Sequence, residues 1–163
     1  MMSQQSVQLD PLNSPHPVPW NWVMAMVTEI APGAPAKQHY YRSQSLLSDD
    51  RRYAAYSRIQ MQVQPDFWHS NVNSILFLEN LETGDLQAIT PTSPLADNPF
   101  LSSGSDLAGK ISIVIPVSWS ESGDRLLARV FESLFCSDVA SDYALIVDQT
   151  ANRISTIAPT CVQ

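Results

Sequence analysis

The sequence predicts a mainly β domain in which two similar antiparallel sheets pack together, with a short helix near 124–136 as the alternative to a strand there. Three observations lead to this fold class. Ile59, Met61 and Val63 alternate with Gln60, Gln62 and Gln64, a period of two that turns one face to a core and the other to water. Twelve prolines against five glycines break the chain with frequent reversals and leave little room for long helices. The third observation is internal similarity between the two halves, set out below.

Residues 1–21 read as a polar and then proline-rich arm, with Pro11, Pro15, Pro17 and Pro19 favouring extended or polyproline II chain. It is either loosely held or a docking strap ending on Trp20 and Trp22. From Trp22 to Ile30 the pattern is that of a strand, closed by the turn Pro32-Gly33-Ala34-Pro35. A strand around Gln38–Leu47 follows, then the polar turn Ser48–Arg52, then the long alternating strand from Tyr53, stopped by Pro65. Residues 66–74 form a polar loop with Trp68 and His69. Ile75-Leu76-Phe77-Leu78 is a continuous apolar run, expected for a strand covered on both faces. Glu82-Thr83-Gly84-Asp85 turns the chain into a returning strand over 86–90, with Gly84 free to take positive φ.

Residues 91–109, rich in Pro, Ser, Asp and Gly, read as a connector. Ile111–Ile115 is a strand, with Pro116 marking an edge or a bulge. After the turn at Trp119–Asp124 the reading divides. Leu126, Leu127, Val130, Phe131, Leu134 and Phe135 recur at helical spacing behind possible caps at Ser122 or Asp124, so strand and helix both stand. Tyr143–Asp148 and Arg153–Ile157 form a hairpin across Gln149–Asn152, where Asn152 tolerates the left-handed region.

Leu76–Pro91 lines up with Ala144–Pro159: the apolar positions, polar turn and closing proline fall in phase. Leu47-Ser48 likewise matches Trp119-Ser120. The domain organisation that follows is an arm (1–21) and a single mainly β domain (22–163) of two repeats, about 22–91 and 110–159, joined by the Pro/Ser-rich linker. Ser48-Asp49-Asp50-Arg51-Arg52-Tyr53-Ala54-Ala55 and Trp119-Ser120-Glu121-Ser122-Gly123-Asp124-Arg125-Leu126-Leu127-Ala128 resemble the W-S-P-D-G-x-x-L-A signature of TolB-like, WD40-like (PD40) β-propeller repeats. Phe77–Thr90 is similar to the second half of such a blade. The departures are Asp49 and Glu121 for the signature proline, Ser122 for its aspartate and Arg51 for its glycine. Propellers close with four to eight blades, and two blades would pack as two blade-like sheets or assemble with other copies. The resemblance implies an interaction scaffold.

A formal charge of −7 and no Lys/Arg patch argue against nucleic-acid binding. The run Trp20–Val27 is too short to span a bilayer, and no basic start with a long apolar stretch marks a secretory signal, so the expectation is a cytoplasmic protein without membrane insertion. Cys136 and Cys161 have no metal-like spacing.

Candidate chemistry is sparse. Asp66, His69 and Ser70 put acid, base and hydroxyl in one loop, but sequence neighbours rarely form a triad, and no nucleophile elbow is present. His16, His39 and His69 lack zinc-site spacing, and Asp49-Asp50 lacks a calcium-loop pattern. No cofactor or metal is expected, and no catalytic residue is assigned. Trp20, Trp22, Tyr40, Tyr41 and Trp68 are the candidate partner-binding residues, since aromatic side chains near polar loops bring large contact area at small entropic cost. The expected function is a non-enzymatic protein-binding or assembly-assisting module acting through sheet edges, loops and the arm, with an unidentified protein partner and homo-oligomer formation left open. A small hydrolase using Asp66 and His69 and a small-molecule sensor are the alternatives.

Overall fold

Pro19 sets the start of the helix that precedes the strands in the computed structural model, which describes residues 18–29, 37–90, 109–135 and 140–157. Its carbonyl accepts the Val23 N–H at 3.1 Å, and its fixed φ suits entry into α1 (Trp20–Glu29). Trp20, Val23, Met26 and Val27 turn to the core while Asn21, Met24, Ala25 and Thr28 face water, the three-and-four spacing of an amphipathic helix. The strand expected over 22–30 is therefore a helix, and the arm expected over 1–21 gives up Trp20 and Asn21 to it. Residues 1–17, with three of the arm's prolines, lie outside the described residues, as does the connector over 91–108.

Nine strands follow among the described residues: β1 (Lys37–Arg42), β2 (Leu46–Leu47), β3 (Tyr53–Val63), β4 (Asn71–Asn80), β5 (Leu86–Ile89), β6 (Lys110–Trp119), β7 (Arg125–Leu134), β8 (Ala140–Asp148) and β9 (Arg153–Ile157). They pair in the order β1-β3-β4-β6-β7-β8-β9, with β2 beside β3 and β5 beside β4. Every pairing is antiparallel except β4 with β6, which is parallel and rests on the one bridge Val72–Ile111. The expectation of two separate propeller-blade-like sheets is thus overturned. The chain forms one mixed sheet that is not closed: β6 continues from the edge of β4, and β1 and β9 end the strand order without meeting.

The segment 124–136, read as strand or helix, is β7 over nearly all of its length. Its near-continuous apolar character comes from its place between β6 and β8, where both faces are covered. Leu126, Ala128, Val130 and Glu132 are buried on one side, Arg129 and Phe131 on the other. Inside β6 the register slips between Pro116 and Ser118, as a proline without an N–H requires.

The two stretches of antiparallel strand share one pairing register. Tyr53 faces Asn80 as Arg125 faces Asp148, Leu47 faces Ala54 as Trp119 faces Leu126, and Leu86 faces Glu79 as Ile154 faces Val147. Their turns match too. Ser48 accepts the Tyr53 N–H on Oγ and the Arg51 N–H on its carbonyl; Ser120 does the same for Arg125 and Gly123. Positive φ falls at Arg51 (60°) and Gly123 (77°), and again at Gly84 (81°) and Asn152 (52°).

The join between the halves is made by side chains rather than by the ladder. Beyond the Val72–Ile111 bridge, β6 lies against β3 and β4, and two buried serines serve its backbone. Ser74 Oγ accepts the Val114 N–H at 2.8 Å and donates to the Ser112 carbonyl at 3.0 Å; Ser57 Oγ donates to the Val114 carbonyl. Buried backbone groups need such partners. Trp119 reaches back across the join, its indole N–H donating to the Leu46 carbonyl at 2.9 Å and its ring stacking on Tyr53 at 5.7 Å. Ala55, Leu76, Leu78 and Ile89 then share one core with Val114, Leu126, Ala128, Val130, Tyr143, Leu145 and Val147. A second cluster, capped by α1, gathers Ile59, Met61, Val63 and Val72 with Ile111, Ile113 and Ile115.

Candidate functional site

Strand alternation decides which residues the first half turns away from this core. In β3, Ala55, Ser57, Ile59 and Met61 point inward, so Tyr56, Arg58, Gln60 and Gln62 lie on the outer face. Register then places Arg42 and Tyr40 of β1, Asn73, Ile75 and Phe77 of β4, and Leu86 and Ala88 of β5 on that same face. Tyr40 is 61% exposed, Ile75 38% and Leu86 53%. Across three strands runs a ladder of flat groups: Phe77 lies beside Tyr56 at 5.4 Å and 24°, and the Arg42 guanidinium sits 3.7 Å from the Tyr56 ring centre. The latter is cation–π distance. Arg42 is held in place by bonds to the Ser43 carbonyl and Ser45 Oγ. Beside the ladder, Tyr40, Arg58, Gln60, Asn73, Ile75 and Phe77 line a hollow of about 280 Å³. With Arg42 and Arg58 against Glu79, the face is locally basic on a chain of net charge −7.

The five aromatic residues singled out from the sequence are not brought together. Trp20 packs edge-on against Phe131 at 5.2 Å, and Trp22 leans on Tyr41 at 5.4 Å. Trp20, Trp22 and Tyr41 are partly buried against the α1 cluster. Tyr40 stands on the outer face, its hydroxyl donating to Gln38 Oε1 at 2.8 Å. Trp68 is 47% exposed in the turn Phe67–His69, beside His69. The sequence reading missed Arg42, Tyr56, Arg58, Ile75, Phe77 and Leu86. Their signal was present as the apolar run Ile75–Leu78, taken to mean a strand covered on both faces. Leu76 and Leu78 are covered, but Ile75 is not.

The Asp66/His69/Ser70 loop does not assemble a triad. His69 Nδ1 lies 3.8 Å from Asp66 Oδ2, with both side chains more than half exposed. Ser70 is fully buried, and its Oγ accepts the Gln64 N–H at 2.9 Å. Its hydroxyl therefore secures the end of β3. Asp50 and Asp124 have turn duties: hydrogen bonds from the Ser48 hydroxyl, for Asp50, and from the Ser122 and Ser120 hydroxyls, for Asp124, hold both carboxyls below the usual range. Among the described residues no group of three or more His, Cys, Asp or Glu is placed to hold a metal ion, and no helix is long and apolar enough to cross a membrane. His16, Cys136 and Cys161 fall outside them.

No family model, no curated protein and no solved structure matches this chain. The resemblance to TolB-like and WD40-like propeller repeats is accordingly withdrawn: neither these comparisons nor the open sheet supports it. Strand, serine-and-aspartate turn and returning strand are local solutions that many β proteins share.

Proposed function

We propose that the chain is a non-catalytic protein-binding or assembly-assisting module whose recognition surface is the outer face of β1, β3, β4 and β5. One observation carries the reading. Ile75 and Phe77 continue the apolar run of β4 on the side away from the core, where they meet Tyr40, Tyr56 and Leu86, and among the described residues no second layer lies over them. A contiguous apolar face with aromatic and arginine side chains and a polar surround has the composition of a protein interface. Its amides, Gln60, Gln62 and Asn73, supply hydrogen bonds around the apolar centre. Loop chemistry gives no competing catalytic site, since Ser70 is occupied by the backbone.

The test is recovery of partners from the native source by the parent chain, by a Tyr40→Ala/Ile75→Asp variant and by Trp68→Ala, each first shown to keep its far-UV circular dichroism and melting temperature. The expected result is partners retained by Trp68→Ala and lost by the outer-face variant. Equal recovery by all three would overturn the assignment of the surface.

A further inference from the structure

We propose that the segment this face takes is acidic: an extended peptide stretch in which an Asp or Glu carboxylate bridges Arg42 and Arg58 while a neighbouring apolar side chain enters the hollow beside them. This rests on the protein-binding reading above and names the chemistry of the occupant. A pair of like charges carries the argument. Register sets Arg42 of β1 directly opposite Arg58 of β3, and like charges so placed destabilise a sheet. The only carboxylate on the strands of this face, among the described residues, is Glu79. It stands opposite Ala54, four residues along β3 from Arg58 and so roughly 13 Å away.

The two guanidiniums are held differently. Arg42 is fixed: it lies 3.7 Å from the Tyr56 ring centre and donates to the Ser43 carbonyl at 3.0 Å and to Ser45 Oγ at 3.2 Å. Arg58 is exposed, makes no hydrogen bond or ion pair among the described residues, and lines the hollow with Tyr40, Ile75 and Phe77. A carboxylate therefore meets one cation already ordered, with little further loss of freedom, and a second that is unengaged. Arginine at both places suits a carboxylate, whose two oxygens accept parallel N–H bonds from a guanidinium. The hollow, about 280 Å³, is small beside the roughly 300–1,000 Å³ of sites for whole small molecules, and Ile75 and Phe77 give it an apolar wall for a side chain. Gln60 and Asn73 pair across β3 and β4 next to it, and their amides both donate and accept, as the backbone of an extended segment requires. Nucleic acid is disfavoured, because its binding draws on several phosphate contacts and this face offers two cations on a chain of net charge −7. The same net charge repels a wholly acidic body, which limits the occupant to a short stretch.

Selection from a phage-displayed library of random peptides about twelve residues long tests this. The baits are the full parent chain and its Arg58→Gln, Arg58→Glu and Trp68→Ala variants, each first matched to the parent in circular dichroism and melting temperature. Arg58 is exposed, so the fold tolerates its replacement. The parent and Trp68→Ala are expected to enrich peptides in which Asp or Glu adjoins an apolar residue. In fluorescence polarisation Arg58→Gln should weaken the best of these at least about tenfold, Arg58→Glu should abolish their binding, and raising the salt from about 50 to about 500 mM should weaken it. No enrichment by the parent, or equal binding to the parent and Arg58→Gln, would overturn the proposal. With no peptide enriched, an oligonucleotide bound through Arg58 would make the occupant a polyanion, and self-association lost in Arg58→Gln would make it a second copy; either overturns it. Enriched peptides that lack acidic residues, yet no longer bind an Ile75→Asp chain, would refute the acidic occupant while leaving the protein-binding reading in place.

Discussion

Ser74→Ala is the sharpest perturbation of the join between the halves. Ser74 is 6% exposed and Val114 fully buried. Removing the hydroxyl takes away the acceptor of the Val114 N–H and one donor to the Ser112 carbonyl. An orphaned buried N–H costs about 1–3 kcal/mol, and the carbonyl adds about 1 kcal/mol, for a loss of about 2–4 kcal/mol. At about 2–4 °C per kcal/mol for a chain of this size, the melting temperature falls by about 4–16 °C. Urea unfolding followed by circular dichroism measures the loss directly. Ser45→Ala is the control, because that exposed hydroxyl meets only the Arg42 guanidinium and its removal should cost less than about 0.5 kcal/mol. Ser57→Ala acts on the same residue through the Val114 carbonyl, so the double variant should depart from additivity. A Ser74→Ala chain within about 0.5 kcal/mol of the parent would refute the claim that serine side chains seat β6.

Gly109→Ala should be destabilising by at least about 2 kcal/mol: Gly109 has a φ of +83°, and an added Cβ would stand 2.5 Å from the Trp68 carbonyl oxygen. Unchanged unfolding would contradict that close approach. Arg51→Gly should stabilise by about 0.5–1 kcal/mol, because the exposed arginine holds a φ of 60° that glycine adopts without penalty; a loss on thermal unfolding would count against it. Burial, and then the Glu132 carboxylate, push the Tyr143 hydroxyl above its ordinary value of 10.0. Its contribution is thus complete below pH 10 and is lost as the pH climbs past that toward the folded-state value. Tyr143→Phe should flatten the alkaline limb of a stability–pH profile, and parallel limbs for variant and parent would exclude the effect.

Many strand and turn positions were legible in local patterning, but not how the strands join into one sheet. The alternation Ile59–Gln64, the turns at Gly84 and Asn152 and the break at Pro65 all report forces acting over a few residues, and the structure follows them. Where sequence reading failed, distant parts of the chain decided. The segment Trp20–Glu29 is rich in aromatic and branched residues that suit strands, yet its Trp20, Val23 and Val27 spacing serves a helix capping Ile59 and Ile111. In β7 the helical spacing arose because both sheet faces are covered, which a linear pattern cannot distinguish from a helix. For the site, five aromatic residues were chosen by their proximity to polar loops. Only Tyr40 lies on the outer face, because a sheet face gathers every second residue of separate strands and no stretch of sequence displays it.

The central claim is that the first half covers its inner face and exposes its outer face, leaving that face for a partner. Isoleucine methyl NMR with a soluble paramagnetic agent, at a concentration where the chain is monomeric, tests it most directly. Strong relaxation is predicted for Ile75 and little for Ile89 and Ile113. Equal relaxation of Ile89 and Ile75 would contradict the account.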